Sequence, residues 1–183
     1  MITKTDILIF EDKHRILLQA DEFICLLPDK ELQEYISNYN ITFPNKELMS
    51  NTFTVMPCGC STLSIKKDDK RLFIELHGPV TKPYIVGSKS NQLEIMVTIE
   101  FRPAGLYAFT GINQSELIDE IFPFETVNYN LNEILSSLVK DAKSVNEILS
   151  NLDETLLKHM NITYHPELQH ILQIIKNAQA MSL

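Results

Sequence analysis

All five glycines of this 183-residue chain, Gly59, Gly78, Gly87, Gly105 and Gly111, fall in its middle, and none follows Gly111. Glycine enters tight and left-handed turns without steric cost, so the turns of a β-rich body belong in that middle. After about Asn130 the chain carries helical periodicity, with Pro166 its only breaker. This distribution divides the chain into a β-rich part, residues 1–127, and a helical part, residues 128–183.

The stretch Leu93–Glu125 joins the two modes. Leu93, Ile95, Val97, Ile99 and Phe101 alternate with other residues, the period-2 pattern of a half-buried strand. Pro103 has its φ preset for a first helical position, so a helix over 103–110 is predicted to follow, with Leu106, Tyr107 and Phe109 as its apolar side. Gly111 suits the left-handed position that ends it. Asn113 and Glu116 then resemble a capping box that restarts a helix over 114–121. Earlier, Leu32, Tyr35 and Ile36 fall at helical spacing and predict a helix over 29–37. Short strands are predicted around Ile7–Phe10 and Ile16–Leu18, at Asn38–Phe43, at Thr52–Val55 and at Tyr84–Val86. Leu63 and Ile65, then Leu72, Ile74 and Leu76, predict a hairpin across the charged turn KKDDK. In the last third, Leu131, Ile134, Leu135 and Leu138 form one helical face, and Val145, Ile148, Leu149, Leu152 and Leu156 a second, capped by Ser144. A third helix begins at Pro166, with Leu168, Ile171, Leu172 and Ile175 as its face.

The net charge of −8 opposes a nucleic-acid surface, which needs clustered Lys and Arg to release counterions. No apolar run reaches the length of a membrane span. The N-terminus has acidic residues where a signal peptide has a basic start and an apolar centre. Three cysteines, an odd number, fit a reducing compartment, and the expected location is cytoplasmic.

Few residues group into a catalytic pattern. Cys58 and Cys60, with His77, are a candidate metal or enzymatic set. A structural zinc site usually takes four ligands, often as two pairs, and the preferred reading is a Gly59 turn flanked by small side chains; no cofactor or metal is assigned. The five histidines form no HxH or HExxH pair, and there is no GxSxG elbow. Arg102, at the strand–helix junction, is expected to form an internal ion pair with Glu100 or Glu125. Anion recognition is its alternative role. The aromatic group around it is expected as core; if the β-rich body is open at that end, Phe101, Arg102, Tyr107 and Phe109 are the candidate ligand-binding residues.

Four motifs in order carry a family resemblance. Pro57-Cys58-Gly59-Cys60, Gly78-Pro79-Val80-Thr81-Lys82-Pro83, Phe101-Arg102-Pro103-Ala104-Gly105 and Glu116-Leu117 with Phe122-Pro123 resemble the N-terminal domain of a branch of the AraC family of bacterial transcription regulators. There the patterns are similar to P-x-G-C, G-P-x-T-[RK]-P and F-[RK]-P-G-G. Cys58 stands where Asp or Asn is common, and Ala104 replaces the first Gly of the last motif. The resemblance implies an α+β fold: a small antiparallel barrel of cupin type with short inserted helices, then a helical segment. It implies a non-catalytic domain that senses a small-molecule effector and forms homodimers. On that reading Leu135, Leu138, Val145, Ile148, Leu149, Leu152 and Leu156 are the dimerisation residues. DNA contact would belong to a helix-turn-helix domain absent from this chain, to which His165–Leu183 looks like the lead-in. The alternatives are the cupin-like metal or enzymatic protein using Cys58, Cys60 and His77, and a stand-alone small-ligand binder.

Overall fold

The computed structural model describes residues 2–161 and 166–180. His165, the start of the expected lead-in helix, lies outside the described residues. The chain forms, in order, α1 (Thr5–Leu8), β1 (Ile16–Gln19), β2 (Phe23–Leu26), β3 (Ile36–Thr42), β4 (Thr54–Val55), β5 (Thr62–Lys67), β6 (Leu72–His77), β7 (Tyr84–Ile85), β8 (Ile95–Phe101), α2 (Tyr107–Thr110), β9 (Ile121–Pro123), α3 (Tyr129–Asp141), α4 (Val145–His159) and α5 (Pro166–Ala180). Seven strands make one antiparallel sheet in the order β1-β2-β3-β8-β5-β6-β9, and β4 pairs with β7 in a second. The fold is α+β. Among the described residues no pairing joins β1 to β9, and these two strands are the edges of the large sheet.

Strand β8 sits at the centre, between β3 and β5, and its alternation sets the two faces of the sheet. One row of partners runs Leu26, Tyr39, Ile99, Leu63, Leu76 and Phe122; another runs Ile24, Ile41, Val97, Ile65 and Ile74. All but Phe122 are buried, and burial of each such side chain stabilises by about 2 kcal/mol. Helix α3 lies against β5, β6 and α4 on this face, and sheet and helices share one core. Asn128 caps α3 by accepting from Leu131 N–H at 3.0 Å, and Ser144 caps α4 by accepting from Glu147 N–H at 3.1 Å.

A polar cluster fastens α4 to the sheet. The Asp153 carboxylate accepts from the Tyr39 hydroxyl at 3.1 Å and from Asp29 N–H at 2.9 Å, and pairs with Arg15 at 2.7 Å. Arg15 also donates twice to the Leu27 carbonyl. Burial, and then the Asp153 charge, push the Tyr39 phenol far above its ordinary value, so it stays a donor.

Four segments differ from expectation. In place of the helix expected over 29–37, residues 30–35 form successive turns, with Leu32 N–H bonding Asp29 O and Tyr35 N–H bonding Leu32 O. The helix does not propagate because Ile36 already belongs to β3. Ile7 lies in α1 rather than a strand. The predicted 103–110 helix is a turn over 103–106 followed by α2, and the 114–121 segment is a single 3₁₀ turn at Gln114–Leu117 that leads into β9. Gly111 ends α2 at φ +69°. Among the described residues no helix is long and apolar enough to cross a membrane.

Candidate ligand cavity between the two sheets

The other face of the large sheet is polar, and the alternation that buries Val97 and Ile99 is what makes it so. Across five strands one row reads Cys25, Asn40, Thr98, Ser64, Glu75. The row on one side reads Phe23, Thr42, Met96, Lys66, Phe73, and the row on the other reads Asn38, Glu100, Thr62, His77. A sheet face left to solvent would suit these side chains. Here, however, the segment 48–60 with β4, and the segment 80–90 with β7, lie over it.

Between them is a cavity of about 410 Å³. Its sheet wall carries Asn40, Thr42, Thr62, Ser64, His77, Thr98 and Glu100. Its opposite wall is mainly apolar, with Leu48, Phe53, Val55, Val80 and Val86, and adds the Tyr84 ring and the Cys58 and Cys60 thiols. A floor of hydroxyls and amides beneath an apolar cover is the usual composition of a small-molecule site: apolar contact area with a few polar groups that fix orientation. A larger groove of about 1100 Å³ lies along the β5–β6 turn and α3, lined by charges of both signs including Lys67, Asp68, Arg71, Glu94 and Lys140.

Two side chains of the cavity wall, Lys66 and His77, meet Glu75, which itself lines the neighbouring groove. Its carboxylate accepts from Lys66 Nζ at 2.5 Å and lies 3.5 Å from His77 Nε2. The His77 and Lys66 side chains together hold the Glu75 carboxyl down at about 2. At 3.5 Å the His77 contact is too long for a well-formed hydrogen bond, and buried Nε2 has no hydrogen-bond partner among the described residues. A polar ligand atom entering beside His77 would satisfy it.

The cover is tied down at few points. Cys58 and Val80 exchange backbone hydrogen bonds at 3.0 and 2.8 Å. The loop 46–49 is held by Asn91, whose amide donates to the carbonyls of Lys46 and Met49. Thr81 binds the Asp119 carboxylate through both its N–H and its hydroxyl, and these bonds keep that carboxyl below its ordinary value.

The four residues expected to bind a ligand lie elsewhere. Phe101 and Phe109 are buried on the helical side of the sheet, with ring centroids 5.7 Å apart. Their place follows from phase, since Phe101 shares the face of Val97 and Ile99. Tyr107 is exposed on α2. Arg102 does clamp the strand–helix junction, but to backbone rather than to a carboxylate: its Nε donates to Gln33 O at 2.7 Å and its N–H to Tyr35 O at 2.8 Å. None of the four lines the cavity.

Leu135, Leu138, Val145, Ile148, Leu149, Leu152 and Leu156 are all buried within the single chain. Their apolar stripes pack into the chain's own core, which leaves the dimerisation role expected of them without an exposed face to act through. Cys58, Cys60 and His77 do meet around one cavity. No group of three or more His, Cys, Asp or Glu side chains is placed to hold a metal ion among the described residues. The residues that sequence reasoning missed are Asn40, Thr42, Ser64 and Thr98, and their signal was present as the polar phase of three strands.

Residues 25–123 match the family model described as a domain of unknown function, DUF6597. That match spans β2 to β9 and so contains nearly all of the cavity wall. No curated protein and no solved structure matches the chain.

Proposed function

The chain belongs to the DUF6597 family, and on that premise we propose that it is a cytoplasmic, non-catalytic effector-sensing domain of the AraC regulator type, its effector a small molecule held between the two sheets. The observation that carries this reading is the half-open cavity of about 410 Å³, its sheet side mostly polar and its cover side mostly apolar. Two sheets facing each other across such a space agree with a cupin-like architecture. The ordered motifs from Pro57 to Pro123 supply the regulator resemblance. Three of them, at 57–60, 78–83 and 101–105, also supply cavity wall or the turn beside β8.

In this reading the effector bridges the floor, which the helical core fixes, and the cover, which short strands and side-chain bonds hold. It acts by favouring one arrangement of the cover over another, which requires unequal affinity for the two. Self-association uses a face other than the α3–α4 stripe. DNA contact, on the regulator resemblance, is the task of a helix-turn-helix unit.

A thermal-shift screen of a metabolite library tests the proposal, with wild type beside Thr98→Phe, which fills the centre of the floor. A ligand at about one hundred times its Kd stabilises by about 2.7 kcal/mol, several degrees in a chain of this size. A compound that raises the wild-type midpoint and leaves a folded Thr98→Phe unmoved supports the site. A library without a hit, or a hit that shifts both proteins alike, counts against it.

A further inference from the structure

Cys58 and Cys60 are separated by one residue, and the chain around them is built like a hinge between two fixed points. On one side Cys58 is locked to Val80 by the paired backbone bonds. On the other, Ser61 O accepts from Phe101 N–H at 3.0 Å, tying the start of β5 to β8. Between them stands Gly59, around which a Cβ would meet nothing within 4 Å. With no Cβ and open space around it, Gly59 gives the backbone between the two anchors room to adjust the separation of the two sulfurs. The two cysteines line the same cavity wall, and neither is in a disulfide.

Their surroundings differ in a way that assigns separate roles. Cys58 is exposed and Cys60 is half-buried. Burial, followed by the neighbouring Cys58, pushes the Cys60 thiol up to about 12, so it stays protonated while Cys58 carries a free sulfur. Access governs attack on a disulfide as much as thiolate character does, and the exposure of Cys58 makes it the first to react. Once Cys58 is capped it bears no charge, and that part of the opposition to Cys60 ionisation disappears.

We propose that Cys58-Gly59-Cys60 is a redox-active dithiol at the cavity wall whose reaction partner is a low-molecular-weight disulfide. The Cys58 thiolate attacks one sulfur of RSSR, forming the mixed disulfide Cys58–S–SR and expelling RS⁻. Cys60 then loses its proton to solvent or to RS⁻ and attacks Cys58 Sγ; the Cys58–SR bond breaks, a second RS⁻ leaves, and the Cys58–Cys60 disulfide remains. Two thiols have lost two protons and two electrons, and RSSR has become two RSH. Both sulfurs line the cavity, so the reaction removes two weak donors from its wall and draws the 57–60 segment tighter. The chemistry stands independently of whether the cavity takes an effector.

The test is intact-mass analysis of the whole chain, reduced and then exposed to oxidised glutathione, with Cys58→Ser and Cys60→Ser in parallel. Wild type should lose the mass of two hydrogens, keep no glutathionyl group, and yield a peptide linking Cys58 to Cys60 that dithiothreitol reopens. Cys60→Ser should stop at one glutathionyl adduct on residue 58. Cys58→Ser should react at least ten-fold more slowly than Cys60→Ser. An unchanged wild-type mass, a persisting adduct, a bond to Cys25 or a cross-linked pair of chains overturns the proposal, as does equal reactivity of the two variants. Both variants are checked for a wild-type melting midpoint, and adduct formation by Cys60→Ser in the native state tests the first step even where closure fails.

Discussion

The turn after β8 invites two substitutions at adjacent positions with opposite signs. At Gly105 a Cβ would lie 1.9 Å from Tyr35 O and 3.0 Å from Arg102 O. The first distance is far inside van der Waals contact, and its partner is a backbone atom that cannot swing aside as a side chain would. Moving Tyr35 O away also strains the 2.8 Å bond it accepts from Arg102 N–H. Overpacking of this kind costs about 1–3 kcal/mol, and loss of one hydrogen bond adds about 1 kcal/mol. Gly105→Ala should therefore destabilise by about 2–4 kcal/mol. Next to it, Ala104 holds φ +61°, a left-handed conformation that costs a residue with a Cβ about 1–2 kcal/mol. Ala104→Gly relieves that strain and returns part of the gain as greater freedom of the unfolded chain, for a net stabilisation of about 0.5–1 kcal/mol. Urea denaturation of the three proteins measures both effects, with slopes required to agree so that midpoints can be compared. Equal midpoints for Gly105→Ala and wild type, or a lower one for Ala104→Gly, would refute the close-approach account of this turn.

Other consequences are as direct. Tyr39→Phe removes one bond to a charged acceptor that keeps its remaining partners, and should cost about 1.5 kcal/mol; Asp153→Ala strands Arg15 and the Tyr39 hydroxyl together and should cost about 3–5 kcal/mol, so a reversed order in denaturation would contradict the cluster described for α4. Ile148→Ala should cost about 2–5 kcal/mol at every protein concentration, because its side chain fills the chain's own core; a melting midpoint that depends on concentration for wild type and not for the variant would instead mark an interface between chains. Glu75 is held at about 2 against an ordinary 4.5. A lowered carboxyl stabilises the fold above its unfolded value and loses that contribution as pH falls through the native one. The stability of wild type should thus decline between about 4.5 and about 2 more steeply than that of Glu75→Gln, and parallel curves would exclude Glu75 as the source.

What the sequence disclosed was local. The β5–β6 hairpin could be read because its strands flank one charged turn, and β8 because Ile95 to Phe101 alternate without a break. The caps at Asn113 and Ser144 and the left-handed Gly111 were equally legible, each resting on one residue and its immediate neighbours. The cavity was not, because its floor draws Asn40, Ser64 and Thr98 from three strands whose pairing depends on long-range register. Phase alone placed Met96, Thr98 and Glu100 opposite Phe101, so the polar face was written in β8 itself; the aromatic cluster beside Arg102 belongs to the opposite side of the sheet. Helical periodicity likewise reported that Leu135 to Leu156 would be buried, and was silent on whether the surface covering them came from the same chain. The turns at 29–37 looked helical because Leu32, Tyr35 and Ile36 are spaced for a helix, yet that spacing serves a chain entering β3.

The two faces of β8 place a single short segment under two separate packing constraints. Ile95, Val97, Ile99 and Phe101 answer to the volume of a shared interior, where a change at one position obliges a change at another. Met96, Thr98 and Glu100 face the cavity, where a changed side chain alters the lining without displacing a core neighbour. Divergence along this strand should therefore run at alternate positions, slow and correlated on one side, quick and independent on the other.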